Sequence, residues 1–334
     1  MNRTIGYRLA MLLVAAMLLA VLAACGGKNE NNGAAANNNT ATESNATTGA
    51  GNAGETADAA PVYPLTVTDA TGTQITFEKA PEKVVTLVPS ETEIMFAIGA
   101  GDAVVGVDDN SNYPAEVASK AKVGGMEANI EAIVALKPDL VLASSSMNAP
   151  AVEKLRGLNL TVLATDPKTY DEVISKIGQI GAIMNKPSEA LEVANHMKDV
   201  RQQVQDAVKD AVKPKVYLEF SPGWTVGKGE FLDEIITLAG GTNIADQASW
   251  YEIDPEKVIE QNPDVIVYAS INVKEGEKNP ILDAIEKRPG WGSIAAIQNK
   301  KLYEVDQDPL VRVGPRLAEG LLEVAKKLHP DLVK

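Results

Sequence analysis

Two glutamates stand at matching places in two eight-residue stretches that align without gaps. Thr92-Glu93-Ile94-Met95-Phe96-Ala97-Ile98-Gly99 falls on Asp233-Glu234-Ile235-Ile236-Thr237-Leu238-Ala239-Gly240. Lys137-Pro138-Asp139-Leu140-Val141 falls likewise on Asn262-Pro263-Asp264-Val265-Ile266. Solenoid units run to roughly 20–50 residues, and this repeat is spaced far too widely to be one. The pattern predicts two similar lobes, each exposing an acid, with a cleft between them as the default binding site. Glu93 has a second possible use, because Ser90-Glu91-Thr92-Glu93 has the form of a helix capping box. Glu234 lacks that alternative, since Phe231 stands three residues before it.

Aromatic residues are sparse at 4%, so their positions carry information. Tyr113, Phe220, Trp224 and Trp250 all fall in loops that follow expected strands or precede expected helices. In open α/β sheets ligands bind outside the carboxyl ends of the strands, and flat rings suit such a wall. Arg312 lies in a similar loop, where it can hydrogen-bond a ligand amide, phosphate or carboxylate, or pair with Asp306 or Asp308. Arg316 is expected to be structural. The chain has two histidines, His196 and His329, both read as surface or packing residues, too few for a three-histidine zinc site. There is no nucleophile elbow, Walker loop or dinucleotide fingerprint. A hydrolase built on paired carboxylates would have only Asp108, Asp109 and Glu252 to draw on. No catalytic or metal-ligating set is therefore predicted, and the chain reads as a binding protein and not an enzyme.

These loops need a frame, and the pattern supplies one. Leu65–Asp69 and Thr73–Phe77 alternate about Ala70-Thr71-Gly72 as a β-hairpin. Short apolar runs at 83–88, 104–107, 140–143 and 160–164 read as buried parallel strands alternating with helices. After 213 the alternation restarts, with strands at 216–220, 265–268 and 302–305. Between the halves, Leu191, Ala194, Met197, Val200, Val204, Val208 and Ala211 recur every three or four residues. Pro187 suits the first turn of a helix, and Pro214 stops it. The expectation is an α/β fold of two Rossmann-like lobes, 61–186 and 213–334, joined by one helix over 187–212, about 39 Å long.

The amino-terminal region reads differently. Arg3, Arg8 and the apolar run Leu9–Leu22 have signal-peptide form over residues 1–24. Leu22-Ala23-Ala24-Cys25 resembles a lipobox, and Cys25 is the only cysteine, so it is expected to carry a lipid. Residues 26–60 are polar and small, which predicts a disordered tether with an r.m.s. reach of roughly 30 Å. The chain is acidic, and removing the signal takes away two arginines and no acid. That balance argues against nucleic acid or an anionic membrane surface as partner. The protein is expected to sit on the extracytoplasmic face of the cell membrane, held only by its lipid.

Four segments then carry a resemblance: Val85–Glu93, Asn129–Val141, Leu238–Ile244 and Pro315-Arg316. Over about 64–334 the chain resembles the class III substrate-binding proteins of bacterial ABC importers for cobalamin and ferric siderophores. The resemblance implies two α/β lobes on one long helix and a monomer that needs no cofactor, its ligand being itself a metal chelate. It also implies an ABC permease dimer with ATPase subunits as partner, docked through one glutamate on each lobe. Those positions fall on Glu93 and Glu234. Asn112-Tyr113-Pro114, Phe220, Trp250 and Asp308…Arg312 resemble the cobalamin binders. Gly124-Gly125-Met126 lacks the aromatic seen there, and Val311 replaces an acid. The ligand is read as cobalamin or another corrinoid ahead of a ferric siderophore, with haem third, because neither histidine is placed to ligate iron. A sensor module presenting the same ligand to a receptor is the alternative.

Overall fold

Two parallel sheets organise the chain, each around inner strands buried on both faces and flanked by more exposed edge strands. The computed structural model describes residues 61–334 apart from Asn272 and Glu275, so the expected signal peptide, Cys25 and the tether lie outside the described residues. The first sheet has the order β5-β4-β3-β6-β7, from β3 (Val84–Thr86), β4 (Val104–Val107), β5 (Ala121–Lys122), β6 (Leu140–Ser144) and β7 (Val162–Thr165). The second has the order β10-β8-β12-β13, from β8 (Lys215–Glu219), β10 (Thr242–Asn243), β12 (Val265–Ala269) and β13 (Leu302–Val305). All pairings within these sheets are parallel, which is why β6 and β12 are buried at every position. The expected hairpin is present as β1 (Leu65–Thr68) against β2 (Gln74–Phe77), and a second small ribbon pairs β9 (Trp224–Val226) with β11 (Trp250–Glu252).

Helices fill the layers. The amino-terminal lobe carries α1 (Pro89–Ala97), α2 (Ile130–Ala135), α3 (Ala149–Gly157) and α4 (Tyr170–Ile183). Helix α5 (Pro187–Val208) leads to the second lobe, which carries α6 (Phe231–Leu238), α7 (Pro255–Gln261), α8 (Pro280–Lys287), α9 (Ala295–Gln298), α10 (Gln307–Val311) and α11 (Leu317–Leu328). Helix α4 escaped the sequence reading, although its start has a full capping box between Thr169 and Glu172. The box expected at Ser90 does not form. The N-cap of α1 is Val88, Pro89 takes the first turn, and Glu93 lies inside the helix.

Both sequence repeats are structural repeats. Gly99 and Gly240, which end the first pair, both adopt positive φ just after α1 and α6. This is a left-handed turn that glycine makes without steric cost. The second pair staples neighbouring strands. Asp139 accepts the amides of Glu82 and Lys83 at 2.9 Å each, fastening β6 to the entry of β3. Asp264 accepts the Lys215 amide at 2.8 Å, fastening β12 to β8 in the same manner.

The connecting helix runs 22 residues and ends at Val208, short of the expected 212. Its length is about 33 Å at the ordinary helical rise. Ala190, Ala194, Met197, Val204 and Val208 form its buried stripe. That stripe belongs to one apolar cluster that also holds Ile94 and Ile177 of the first lobe and Ile235, Leu321 and Val324 of the second. The lobes are thus welded along one side and free to part only at the other. Met197 is fully buried, and its carbonyl accepts the Tyr170 hydroxyl at 2.8 Å. Met197→Ala should cost about 2–5 kcal/mol of stability, read as a lower urea midpoint at unchanged slope; a shift under a tenth of that would show the seam to be loosely packed.

Candidate functional site

A cleft of about 810 Å³ opens between the lobes, opposite the welded seam. The first lobe lines it with the start of α1, the loop after β4 and the ends of β6 and β7. The second lobe lines it with Glu230 and Phe231 at the start of α6, Ser249 and Trp250, and the segment from Gln307 to Val313. Strand ends and helix starts meet here because parallel α/β units direct both to one edge.

The expected site residues part company at this point. Trp250 and Arg312 line the cleft. Phe220 stands behind Trp250, their rings edge to face with centroids 6.0 Å apart, so it supports the wall instead of forming it. Trp224, 45% exposed, lies on the β9–β11 ribbon opposite Glu252 and is not among the cleft-lining residues. Tyr113 also lies off the cleft, where its ring carries the Arg316 guanidinium at 4.3 Å. Tyr113 and Phe220 lie after strands as expected, but Trp224 and Trp250, expected in loops, belong to the β9–β11 ribbon, a two-stranded pairing too short to announce itself in the sequence.

The twin glutamates depart furthest from expectation. Glu93 is 3% exposed, not displayed on a lobe surface. Arg316 donates to it from Nε at 2.9 Å and Nη2 at 2.7 Å, and Arg312 from Nη1 at 2.9 Å. Both arginines belong to the other lobe. Arg312 also donates to Asn112 at 2.8 Å and pairs with Asp308 at 2.7 Å. Hydrogen bonding to Glu93 comes first among the causes that hold the Arg316 guanidinium above its ordinary pKa, ahead of the opposing effect of burial. Glu234 is half-buried, and one of its oxygens accepts the Tyr170 amide of the first lobe at 2.7 Å. The Glu93 carboxylate is thus taken up entirely within the chain, while Glu234 commits one oxygen to the first lobe.

Sequence reasoning also missed a buried charge pair at the cleft floor. Glu91, 1% exposed, receives the hydroxyls of Ser90 and Thr165, and Lys176 lies 3.3 Å away. Burial pushes the Lys176 amine below its usual pKa, an effect opposed by Glu91. The only sequence signal was Glu91 in the first turn of a helix, which is common. Of the three acids open to a hydrolase, only Asp109 lines the cleft. Asp108 is buried and bonded to Ser111 and the Asn110 amide, and desolvation raises its pKa. The three acids named from the sequence therefore supply no pair at the cleft. Both histidines are as expected: His329 meets the Gly240 carbonyl at 3.1 Å, and His196 is exposed beside Glu319. Among the described residues no cluster of His, Cys, Asp and Glu could hold a metal ion, and no helix is long and apolar enough to cross a membrane.

Comparison with known proteins agrees with this architecture. The chain is 39% identical over 285 residues to an ABC transporter substrate-binding lipoprotein of Bacillus subtilis (strain 168), covering 82% of this chain and 88% of the relative. It is 36% identical over 289 residues to a cobalamin-binding protein of Halobacterium salinarum, covering 82% and 76%. The crystal structure of the periplasmic vitamin B12-binding protein of Vibrio cholerae superposes with a TM-score of 0.65 at 27% identity, covering 75% of this chain and 97% of that one. Residues 84–309 match the family model described as periplasmic binding protein, and the chain belongs to that family.

Proposed function

We propose that this protein is the substrate-binding lipoprotein of an ABC importer, and that its cargo is cobalamin or a related corrinoid, a metal chelate taken up whole. The observation that carries the ligand reading is the charge of the cleft. Glu91, Asp109, Asp166, Glu230 and Asp308 line it against only Lys168 and Arg312. Both cations are already paired, Lys168 with Asp166 at 3.5 Å and Arg312 with Glu93 and Asp308. A polyanionic ferric catecholate would be repelled by such a lining. A corrinoid suits it better: a flat macrocycle for Trp250, and rim amides for Asn110, Asn112, Ser146, Ser249 and Gln307. Haem finds no histidine among the lining residues. The named cobalamin binder among the relatives supports the same reading.

Tryptophan fluorescence should respond to cyanocobalamin, and Trp250→Ala should weaken its binding roughly tenfold or more. Tight binding of a ferric catecholate with no response to any corrinoid would reverse the ligand assignment.

Docking to a permease needs exposed acids, one on each lobe, and the second repeat supplies them. Carried upstream in the same register, it sets Glu131 on Glu256. Each is exposed, at the second position of a short helix, α2 or α7, capped by Asn129 or Asp254. Neither carboxylate has a partner among the described residues. Two charges on rigid, equivalent mounts fix both the position and the spacing of a partner. Reversing both to Lys should abolish corrinoid uptake by cells while leaving corrinoid binding by the purified protein unchanged; uptake at the parent rate would remove these residues from the interface.

Cys25 is the proposed lipid attachment site, placing the lobes on the extracytoplasmic face. Cys25→Ser should move the protein from the membrane to the soluble fraction, and continued sedimentation with membranes would argue for another anchor.

A further inference from the structure

Glu93 and Glu234 occupy equivalent places on α1 and α6, and each reaches into the opposite lobe. Glu93 extends from the first lobe to two arginines of the second, while Glu234 extends from the second to a backbone amide of the first. We propose that the two glutamates are reciprocal clamps that hold the cleft at its working width before any ligand arrives, with Glu93 also aiming Arg312 into it. This inference goes beyond the transport reading and stands on lobe contacts alone.

The Glu93 clamp is built as a bolt. Arg312 and Arg316 flank Val313-Gly314-Pro315, the loop between α10 and α11. Gly314 lies directly against the Ser90 backbone, so the loop is seated on the start of α1. Arg316 is gripped on two sides, by the Glu93 carboxylate and by the Tyr113 ring. Arg312 is held by Glu93, by the Asn112 side chain and, at 3.3 Å, by the Asn110 carbonyl, all of the first lobe. Only 9% of the Arg312 side chain is exposed, yet it lines the cleft. A planar guanidinium fixed along two edges presents its remaining face in one orientation, which spares a ligand the entropy of ordering it.

The Glu234 clamp is anchored at the welded side. Its acceptor oxygen caps the Tyr170 amide, one of the donors that the first turn of α4 leaves without a helical partner. Tyr170 is pinned in turn by its hydroxyl on Met197, and the Arg201 guanidinium lies 5.2 Å over its ring. Arg201 also pairs with Asp171 at 2.6 Å. This clamp thus ties α6, α4 and the connecting helix together. Neither clamp is needed by the core of its own lobe, since each acid spends its bonds across the boundary.

Inter-lobe distance in the ligand-free full chain tests the proposal. Nitroxide labels at Glu153→Cys and Glu260→Cys, one exposed helical site on each lobe, report it by pulsed electron resonance in a Cys25→Ser background. Glu93→Gln and Glu234→Ala should each broaden the distribution and shift it to longer distance. Arg316→Gln should shift the distribution the same way by no more than Glu93→Gln, because Arg312 still holds Glu93, and the double variant should go no further than Glu93→Gln. Arg316→Gln also reads the same tie should Glu93→Gln fold poorly. Distributions that superimpose on the parent in both glutamate variants overturn the proposal, and a shift in only one overturns the reciprocal pair. Since no ligand is present, failure here is separate from failure to bind a corrinoid.

Discussion

The arrangement of both lobes depends on one buried charge cluster, Glu93 with Arg312 and Arg316. A carboxylate at 3% exposure is costly to bury without strong partners, and three N–H groups from two guanidiniums supply them. Two arginines around one acid would leave an excess positive charge, which Asp308 balances from the C-terminal lobe. Such a cluster is not cheap stability, because desolvating charges offsets much of their attraction. Its value lies in geometry. Guanidinium and carboxylate planes meet in few ways, so the loop 312–316 can seat on α1 in one register only. Everything the cleft offers from the second lobe's end, Arg312 above all, inherits its position from that seating.

The connecting helix works on the other side of the same problem. Its stripe of Ala190, Ala194, Met197, Val204 and Val208 shares one core with both lobes, so it behaves as a wall more than as a hinge. With both lobes packed on this helix and Glu93 bolted to Arg312 and Arg316 across the boundary, there is little room for a wide swing. The remaining freedom is small adjustment at the cleft mouth, where Trp250 and Met147 are exposed. A rigid ligand suits such a host, since it gains more from a preformed slot than from a jaw that must close.

Much of this was legible in the residues, for reasons that can be named. Strands buried on both faces write continuous apolar runs, so β6 and β12 announced a parallel sheet. The helix between the lobes wrote its own period along its whole length. The Pro-Asp repeat was visible because a carboxylate stapling two strands must stand at the same place in both lobes. What stayed hidden was direction. A glutamate in the first turns of a helix reads alike whether it faces water, caps its own amides or reaches a residue 219 positions away, as Glu93 reaches Arg312. Contacts so distant in sequence leave no local signature. The buried Glu91–Lys176 pair was hidden for the same reason, its members lying 85 residues apart.

The duplicated acids therefore divide into two kinds, and physical cost explains the division. In the first repeat the acids sit on helices that face the other lobe, where burial would be ruinous without cations or amides to receive them; Glu93 has the first and Glu234 the second. In the second repeat the acids sit in the first turn of outward helices, where the exposed helix start already favours negative charge and no partner is required. A residue that needs nothing from its own chain remains available to another. A twofold-like protein thus uses one duplicated acid to hold itself together and leaves the other exposed.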